Sequence, residues 1–419
     1  MKSIKVIGAL AFAACLHASP NRIESISVYG NHQLHASSIL NETKLKTGIA
    51  ITDSLLKAER LRLLKLDFLK KVEWIKKPGS APSEQKLLLI VREKSRFIVI
   101  PWADWDDFFG LYADVSFKIS NLRGRRDYIK TGASLGGFQE VYGSYHLPRW
   151  GGPLNLFAEG EVRWSNKEYR FPDHARFDQT MTTVHGIIGK NLNRIWKAGI
   201  SGTAGNLRTD DPTVTKSGGC LDDWKGMGIF VVWDNRDWPV YPRSGAWGTI
   251  AWGERFYHGS SGILGVTAEN RLYLPVKERD ILAVQIKTEF LGDETPVYHR
   301  LHYGDSRTIR GIKKGSLSGT NGWFASLEYR FPVLYVRNPE AGLHFGWAGF
   351  FFADAGSAWD ERADFKNNDV EFSGGVGAHG ILDRWIIHGE IGYSGKDGGF
   401  VSMGTSAKFY TQPKAVFGF

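Results

Sequence analysis

Arg310 lies in the stretch Gly304-Asp305-Ser306-Arg307-Thr308-Ile309-Arg310-Gly311-Ile312, inside the longest gap between strand-like segments in the last two-thirds of the chain. Downstream come Phe324-Ala325-Ser326-Leu327-Glu328-Tyr329 and Phe350-Phe351-Phe352-Ala353-Asp354-Ala355-Gly356, each with one carboxylate among apolar neighbours. A guanidinium offers a planar fork of donors that a carboxylate accepts two at a time, so this set suits an ionic clamp. A long loop carrying Arg-Gly, followed by two such strands, suggests a cation folded back into a barrel lumen. Gly311 lets the loop tip turn where a Cβ would obstruct it. The plainer alternative is an ordinary loop arginine with two carboxylates of a polar pore.

Signatures of catalysis point elsewhere. The chain has no His-Glu-x-x-His, no Gly-x-x-x-x-Gly-Lys-Ser/Thr and no Gly-x-Ser-x-Gly. Its 12 histidines are dispersed, which argues against a metal cluster. The expectation is a protein that is not an enzyme and uses no metal, nucleotide or other cofactor. An outer-membrane lipase, with Ser and His on one wall, is the enzymatic alternative.

The elements that must position Arg310 are short strands. No apolar stretch approaches the ~20 residues of a membrane helix, and the mean hydropathy of −0.26 looks soluble. Yet the chain carries 49 Gly, 15 Trp, 15 Tyr and 25 Phe. Aromatics and glycines in short alternating segments fit a transmembrane barrel, where only every second residue meets lipid. The net charge of +9 is scattered and comes with no RNA-binding aromatic motif, so nucleic acid is not an expected partner.

Residues 1–18 read as a secretory signal: Lys2 and Lys5, an apolar run from Val6 to Leu16, then Ala18-Ser19-Pro20. Cleavage after Ala18 is the preferred reading, and lipidation of Cys15 is its alternative. Removing that segment leaves Cys220 alone, so no intrachain disulfide is expected. Residues 22–94 read as strand, helix, helix, strand, strand. The first helix is expected over about 37–45. A second is capped by Thr52-Asp53 and has Leu56, Leu63, Leu64 and Phe68 on one face. The last two strands are expected at 72–76 and 86–91.

From Ser95 the helical period disappears. Alternation and turn residues predict sixteen strands, at 95–102, 109–119, 127–136, 138–147, 154–164, 180–191, 194–205, 226–235, 245–255, 262–275, 279–291, 321–332, 343–354, 370–380, 385–394 and 399–409. Leu282, Val284, Ile286 and Phe290 oppose Gln285, Lys287 and Glu289, while Trp385, Ile387, Ile391 and Tyr393 oppose His388 and Glu390. A two-sided strand also suits a soluble sandwich, but the signal, the even strand count and the aromatic load favour the membrane barrel. With both barrel ends in the periplasm, the longest connections, near 165–179, 206–225, 292–320 and 355–369, all fall outside. Counted along the chain, the Arg310 loop, between the eleventh and twelfth strands, is the sixth external connection.

These motifs, in this order, resemble the BamA/TamA superfamily of outer-membrane assembly factors. In that family the sixth external loop carries an (Ile/Val)-Arg-Gly-aromatic tip, and here Ile312 stands in the aromatic position. The opening Ile-x-Val-x-Gly-Asn pattern and Phe68-Leu69-Lys70-Lys71-Val72 resemble a POTRA domain. Trp233-Asp234-Asn235-Arg236-Asp237, with Pro242 and Gly245, and Asn121-Leu122-Arg123-Gly124-Arg125 resemble two periplasmic turns of related barrels, for which a structural role is expected. The implied fold is mainly β: a signal peptide (1–18), a small α+β POTRA domain (22–94) and a transmembrane 16-stranded antiparallel β-barrel (95–419). The resemblance implies that Arg310, with Gly311 at its side, pairs with Glu328 and Asp354 to lock the loop.

A barrel that opens must open at its seam. Pro101 in the first strand lacks a ladder N–H, and Gly404 interrupts the last strand, which ends on Phe409. Gly404 to Phe409 resembles the recognition signal of outer-membrane barrels, with Phe419 beyond the tail 410–419 as its alternative end. A plainer reading has Pro101 merely end its strand. The resemblance thus implies an assembly factor in the cell outer membrane, its POTRA domain in the periplasm. It would capture strands of unfolded outer-membrane proteins and insert them at a weak seam, in contact with the lipid bilayer and with periplasmic or lipoprotein accessory subunits. The rivals are a two-partner-secretion-type pore that threads a secreted polypeptide through its lumen, and a passive barrel.

Overall fold

The computed structural model describes residues 21–405, apart from 65, 67, 107–109, 259–261, 339–342, 361–369 and 383–384. The expected leader at 1–18 with Cys15, the strand end at Phe409 and the tail 410–419 lie outside the described residues. The chain divides into two compact units; the first takes in the described residues up to His32 and Ile39–Glu93, and the second Gln33–Ser38 and the chain from Lys94 onward.

The chain up to Glu93 forms β1 (Arg22–Tyr29), α1 (Ala36–Leu40), α2 (Asp53–Leu64), β2 (Leu69–Pro78) and β3 (Glu84–Glu93), and all but the start of α1 belong to the first unit. Its sheet runs β1-β3-β2, with β3 parallel to β1 and antiparallel to β2. Ile23, Leu45, Leu56 and Leu87 form its core, and Leu63 and Leu89 are also buried. The α2 terminus is capped as its sequence predicts, the Leu55 N–H donating to Thr52 Oγ1 at 3.1 Å. The first helix is shorter than the expected 37–45. Beyond Leu40 the Glu42 and Thr43 N–H groups turn back to the carbonyls of Ile39 and Leu40, and the Thr43 hydroxyl also donates to Leu40, so the last turn tightens and stops.

The second unit holds one 16-stranded antiparallel sheet and a two-stranded ribbon. The sheet begins with β4 (Phe97–Asp106), β5 (Gly110–Ser120), β6 (Tyr128–Gly136), β7 (Gln139–Trp150) and β8 (Leu156–Tyr169). It continues through β9 (Phe177–Asn191), β10 (Trp196–Thr209), β11 (Leu221–Asp234), β12 (Gly245–Tyr257), β13 (Ile263–Pro275) and β14 (Ile281–Leu291). The ribbon of β15 (Leu301–Tyr303) and β16 (Leu317–Gly319) lies within the next connection. The sheet then resumes with β17 (Asn321–Asn338), β18 (Leu343–Trp359), β19 (Glu371–Leu382), β20 (Trp385–Ser394) and β21 (Gly398–Thr405).

Each expected strand is present, and several run further toward the long connections. The β8–β9 ladder reaches Tyr169 and Phe177, and the β10–β11 ladder reaches Arg208 and Leu221. A ladder needs only backbone donors and acceptors, so it continues past the apolar belt where side-chain alternation stops marking it.

Burial along the strands is inverted relative to a soluble protein. In β20, Ile387 and Ile391 are 54% and 55% exposed, whereas His388 and Glu390 are 6% and 4% exposed. In β14, Ile286 and Phe290 are exposed and Gln285 is buried. An apolar outside and a polar inside are what a lipid-embedded barrel requires, and they exclude the soluble sandwich. The sheet has two edges: β4 pairs only with β5 and β21 only with β20, and no ladder joins β4 to β21 among the described residues. Pro101 lies opposite Val115 in the interior of β4 and does not end it.

The first unit has its own core and caps, so residues 22–94 expressed alone should give circular dichroism of mixed helix and strand. Leu63→Ala should destabilise the fragment by about 2–5 kcal/mol in urea unfolding, because it empties a fully buried site. A disordered or purely helical fragment would show that the unit does not fold independently.

Candidate functional site

The connection from β14 to β17 spans 29 residues, carries the β15–β16 ribbon and is densely tied down. Asp305 accepts the N–H groups of Arg307 and Thr308 through Oδ1 at 2.8 Å each, and its own N–H donates to the Ile309 carbonyl, which forms a compact tip. Gly304 and Gly311 adopt φ of 101° and 75°, a region open to glycine and strained for other residues. A Cβ at Gly311 would collide with the Phe400 ring on β21. Ile309 and Ile312 are buried with Tyr303, Leu317 and Phe324, so Ile312 fills its site as an aliphatic side chain.

This tip delivers Arg310 into the barrel interior. The guanidinium donates to Asp354 twice, Nε to Oδ2 at 2.7 Å and Nη2 to Oδ1 at 2.8 Å. The Arg310 backbone N–H adds a third bond to Asp354 Oδ2 at 3.0 Å. Nη1 donates to Glu328 Oε1 at 2.7 Å and lies 4.0 Å from Glu390 Oε2. The Phe352 ring lies 3.9 Å from the guanidinium carbon, a cation–π contact. Arg310 is 1% exposed, Glu328 0% and Asp354 2%. Burial works against the charge of Arg310, but the Asp354 and Glu328 carboxylates outweigh it and hold its pKa above the ordinary arginine value.

Strand periodicity explains why the carboxylates meet the loop. Glu328 and Arg330 on β17, Phe350, Phe352 and Asp354 on β18, and His388 and Glu390 on β20 all occupy the inward face. Glu328 is itself shared, since Arg330 Nε donates to its other oxygen at 2.8 Å. Sequence reasoning did not assign roles to Glu390 or Arg330. The available signal was parity: Arg330 is two residues from Glu328, and Glu390 sits on the polar face of its strand.

The loop also grips the last hairpin of the sheet. The Ser394 hydroxyl donates to the Gly311 carbonyl at 2.8 Å, and the Lys313 N–H donates to Asp397 Oδ2 at 2.9 Å. On its other flank Ser318 donates to Asp173 at 2.7 Å, and His302 stacks on Phe171 with ring centroids 3.8 Å apart. Burial lowers the His302 pKa to about 4, so this ring is neutral near pH 7. Loop and walls therefore form one cover, held centrally by Arg310.

The remaining expected residues lie elsewhere. Pro101 sits on edge strand β4, and Gly404 on edge strand β21 pairs with His388 of β20. Neither contacts the clamp by any described hydrogen bond. Among the described residues no group of His, Cys, Asp and Glu could hold a metal ion.

The model of one protein family, described as the Omp85 superfamily domain, matches residues 121–379. No curated protein matches in sequence. Among solved structures, BamA from Haemophilus ducreyi lacking POTRA domains 1-3 is similar at a TM-score of 0.61 and 14% identity, over 92% of this chain and 85% of that one. CdiB from Acinetobacter baumannii is similar at 0.62 and 12%, over 92% and 74%. CdiB from Escherichia coli is similar at 0.62 and 12%, over 92% and 75%. At such identities the likeness is one of fold.

Removing either side of the clamp should release the loop. Arg310→Ala, Asp354→Lys and Glu328→Lys should each speed tryptic cleavage within 305–316 and lower the temperature at which the folded barrel unfolds in detergent. Stranding one buried partner costs about 3–5 kcal/mol. Arg310→Lys should not restore the lock, because an ammonium cannot span both carboxylates with a fork. Unchanged cleavage in all three variants would show that the clamp does not hold the loop.

Proposed function

The chain belongs to the Omp85 superfamily, and on that premise we propose that it is an outer-membrane factor that assembles other β-barrels at the β4–β21 seam. Residues 22–94 act as a periplasmic POTRA domain that captures extended client segments along the β2 edge of its sheet, since the start of β1 is already bonded to residues 48–51. The clients are unfolded outer-membrane proteins. The lipid bilayer and periplasmic or lipoprotein accessory subunits are the other partners.

One observation carries this reading: the absence of a described ladder between β4 and β21. An unpaired strand edge presents a row of backbone donors and acceptors that another chain can complete. Pro101 suits such an edge, since proline in sheets is tolerated where no ladder bond is required of it. Val401 and Met403 on β21 are 81% and 79% exposed, as befits a strand with a neighbour on one side only. Client strands adding here would enter lipid laterally, driven by burial of their own apolar surface, with no nucleotide, cofactor or enzymatic step. The Arg310 loop is the latch of this device. Through Gly311 and Lys313 it holds the β20–β21 hairpin that borders the seam.

A second reading, a pore that threads a secreted polypeptide along its axis, draws on the opposite wall. The inward faces of β5 to β8 carry half-buried Lys118, Lys130, Glu140, Glu159, Glu161 and Arg163, which leave a polar path.

A covalent staple separates the two. In a Cys220→Ser background, a cysteine pair crosslinked across β4 and β21 should abolish assembly of client barrels while leaving this protein folded. An axial pore would tolerate the staple and fail when the lumen is blocked. Client assembly that survives the staple would falsify the lateral route and favour the pore.

A further inference from the structure

The connection from β11 to β12 lies at the end of the barrel opposite the Arg310 loop, because alternate connections of an antiparallel sheet emerge at opposite ends. It does not hang free. Asn235 Oδ1 accepts the Ala246 N–H at 2.6 Å, Asp237 Oδ1 accepts the Arg243 N–H at 2.9 Å, and Arg236 forks onto Asp234 at 2.9 and 2.8 Å. Gly245 closes the turn at φ 100°, where a Cβ would meet the Asn235 carbonyl. This self-capped turn pushes Trp238 and Tyr241 into the lumen, against Tyr273, Ile281, Ala283, Ala348, Ile381 and Ile386. Tyr241 is 1% exposed.

Two routes of contact join Tyr241 to Arg310. The Arg330 guanidinium lies 5.1 Å from the Tyr241 ring and donates to Glu328, whose other oxygen accepts from Arg310. The Tyr241 hydroxyl also lies 3.3 Å from His379 Nδ1, and His379 stacks on Phe350 at 4.3 Å, beside the Arg310 guanidinium.

We propose that Arg330 and Tyr241 are positioning residues that couple this short turn to the latch, so that displacing the turn from the lumen floor loosens the Arg310 loop at the far end. A client or accessory protein that engages the turn from the periplasm would thereby act on the seam without touching the loop. The coupling rests on the latch reading above. Glu328 is its pivot: it accepts two guanidinium groups, and Arg330 holds the carboxylate in the orientation that Arg310 needs. If the Tyr241 ring is lost, Arg330 keeps only the more distant Tyr273 ring, 6.0 Å from its guanidinium, and the anchor of the pivot weakens.

Hydrogen exchange of loop residues 305–316 in the full-length protein, folded in detergent, tests this directly. Tyr241→Ala should speed loop exchange by about 2- to 30-fold, the range expected for loss of one cation–π contact. Tyr241→Phe, which keeps the ring, should stay near wild type. Arg330→Lys keeps the charge but not the planar stack. It should also speed loop exchange, and combined with Tyr241→Ala it should add less than the sum of the two. If Tyr241→Ala yields no heat-resistant barrel, Arg330→Lys alone decides. A turn with only a local role would show faster exchange at 235–244 and an unchanged loop, which overturns the coupling. Arg310→Ala is the control for the latch itself. If that variant leaves loop exchange unchanged, the latch reading fails as well; if it speeds exchange while Tyr241→Ala and Arg330→Lys do not, only the coupling fails.

Discussion

A guanidinium stripped of water and returned to three carboxylates is the constraint on which the rest of this barrel depends. Arg310 is buried beside Asp354, Glu328 and Glu390, and Glu328 is balanced in turn by Arg330. A buried ion pair of this kind adds little net stability over an apolar filling of the same volume. What it supplies is position. A bidentate fork with a third bond from the backbone N–H admits one loop geometry, and the loop fixes the hairpin of the last two strands. Apolar packing of Ile309 and Ile312 shapes the tip but could tolerate small shifts that the fork cannot.

That constraint divides the lumen. From β12 round to β20 the inward face carries closely packed side chains, capped at one end by the Arg310 loop and filled at the other by Trp238 and Tyr241. From β5 to β8 the inward face is half-buried and charged, with Arg163 bridging Glu140 and Glu161 and Lys118 resting over Tyr128 at 4.2 Å. The packed sector lies next to the edge strand β21 and the half-buried sector next to the edge strand β4. On the proposed reading the seam separates the closely packed sector from the half-buried one, and no ladder joins β4 to β21 among the described residues.

Much of this was legible in the residues. Apolar and polar positions alternate along each strand because one face meets lipid and the other the lumen, and that two-residue period located all sixteen strands. The order of Arg310-Gly311, Glu328 and Asp354 along the chain singled out residues that the fold brings together. Other features had no local signal. Arg330 and Glu390 join the site only through the inward register of β17 and β20, and Tyr241 reaches His379 across 138 positions of sequence. The extra length of β8 and β9 lies beyond the apolar belt, where alternation no longer reports on pairing. The first helix stopped early because Thr43 and Glu42 turn back on it, a choice that composition alone does not reveal.

Site-specific photocrosslinking to an arrested client barrel tests the central claim, that clients leave through the seam, most directly. A photoreactive residue at Val99, on the exposed face of edge strand β4, should capture the client, whereas one at Lys130 on the lumen wall should not. Adducts from Lys130 with none from Val99 would place the client on the barrel axis and contradict the lateral route.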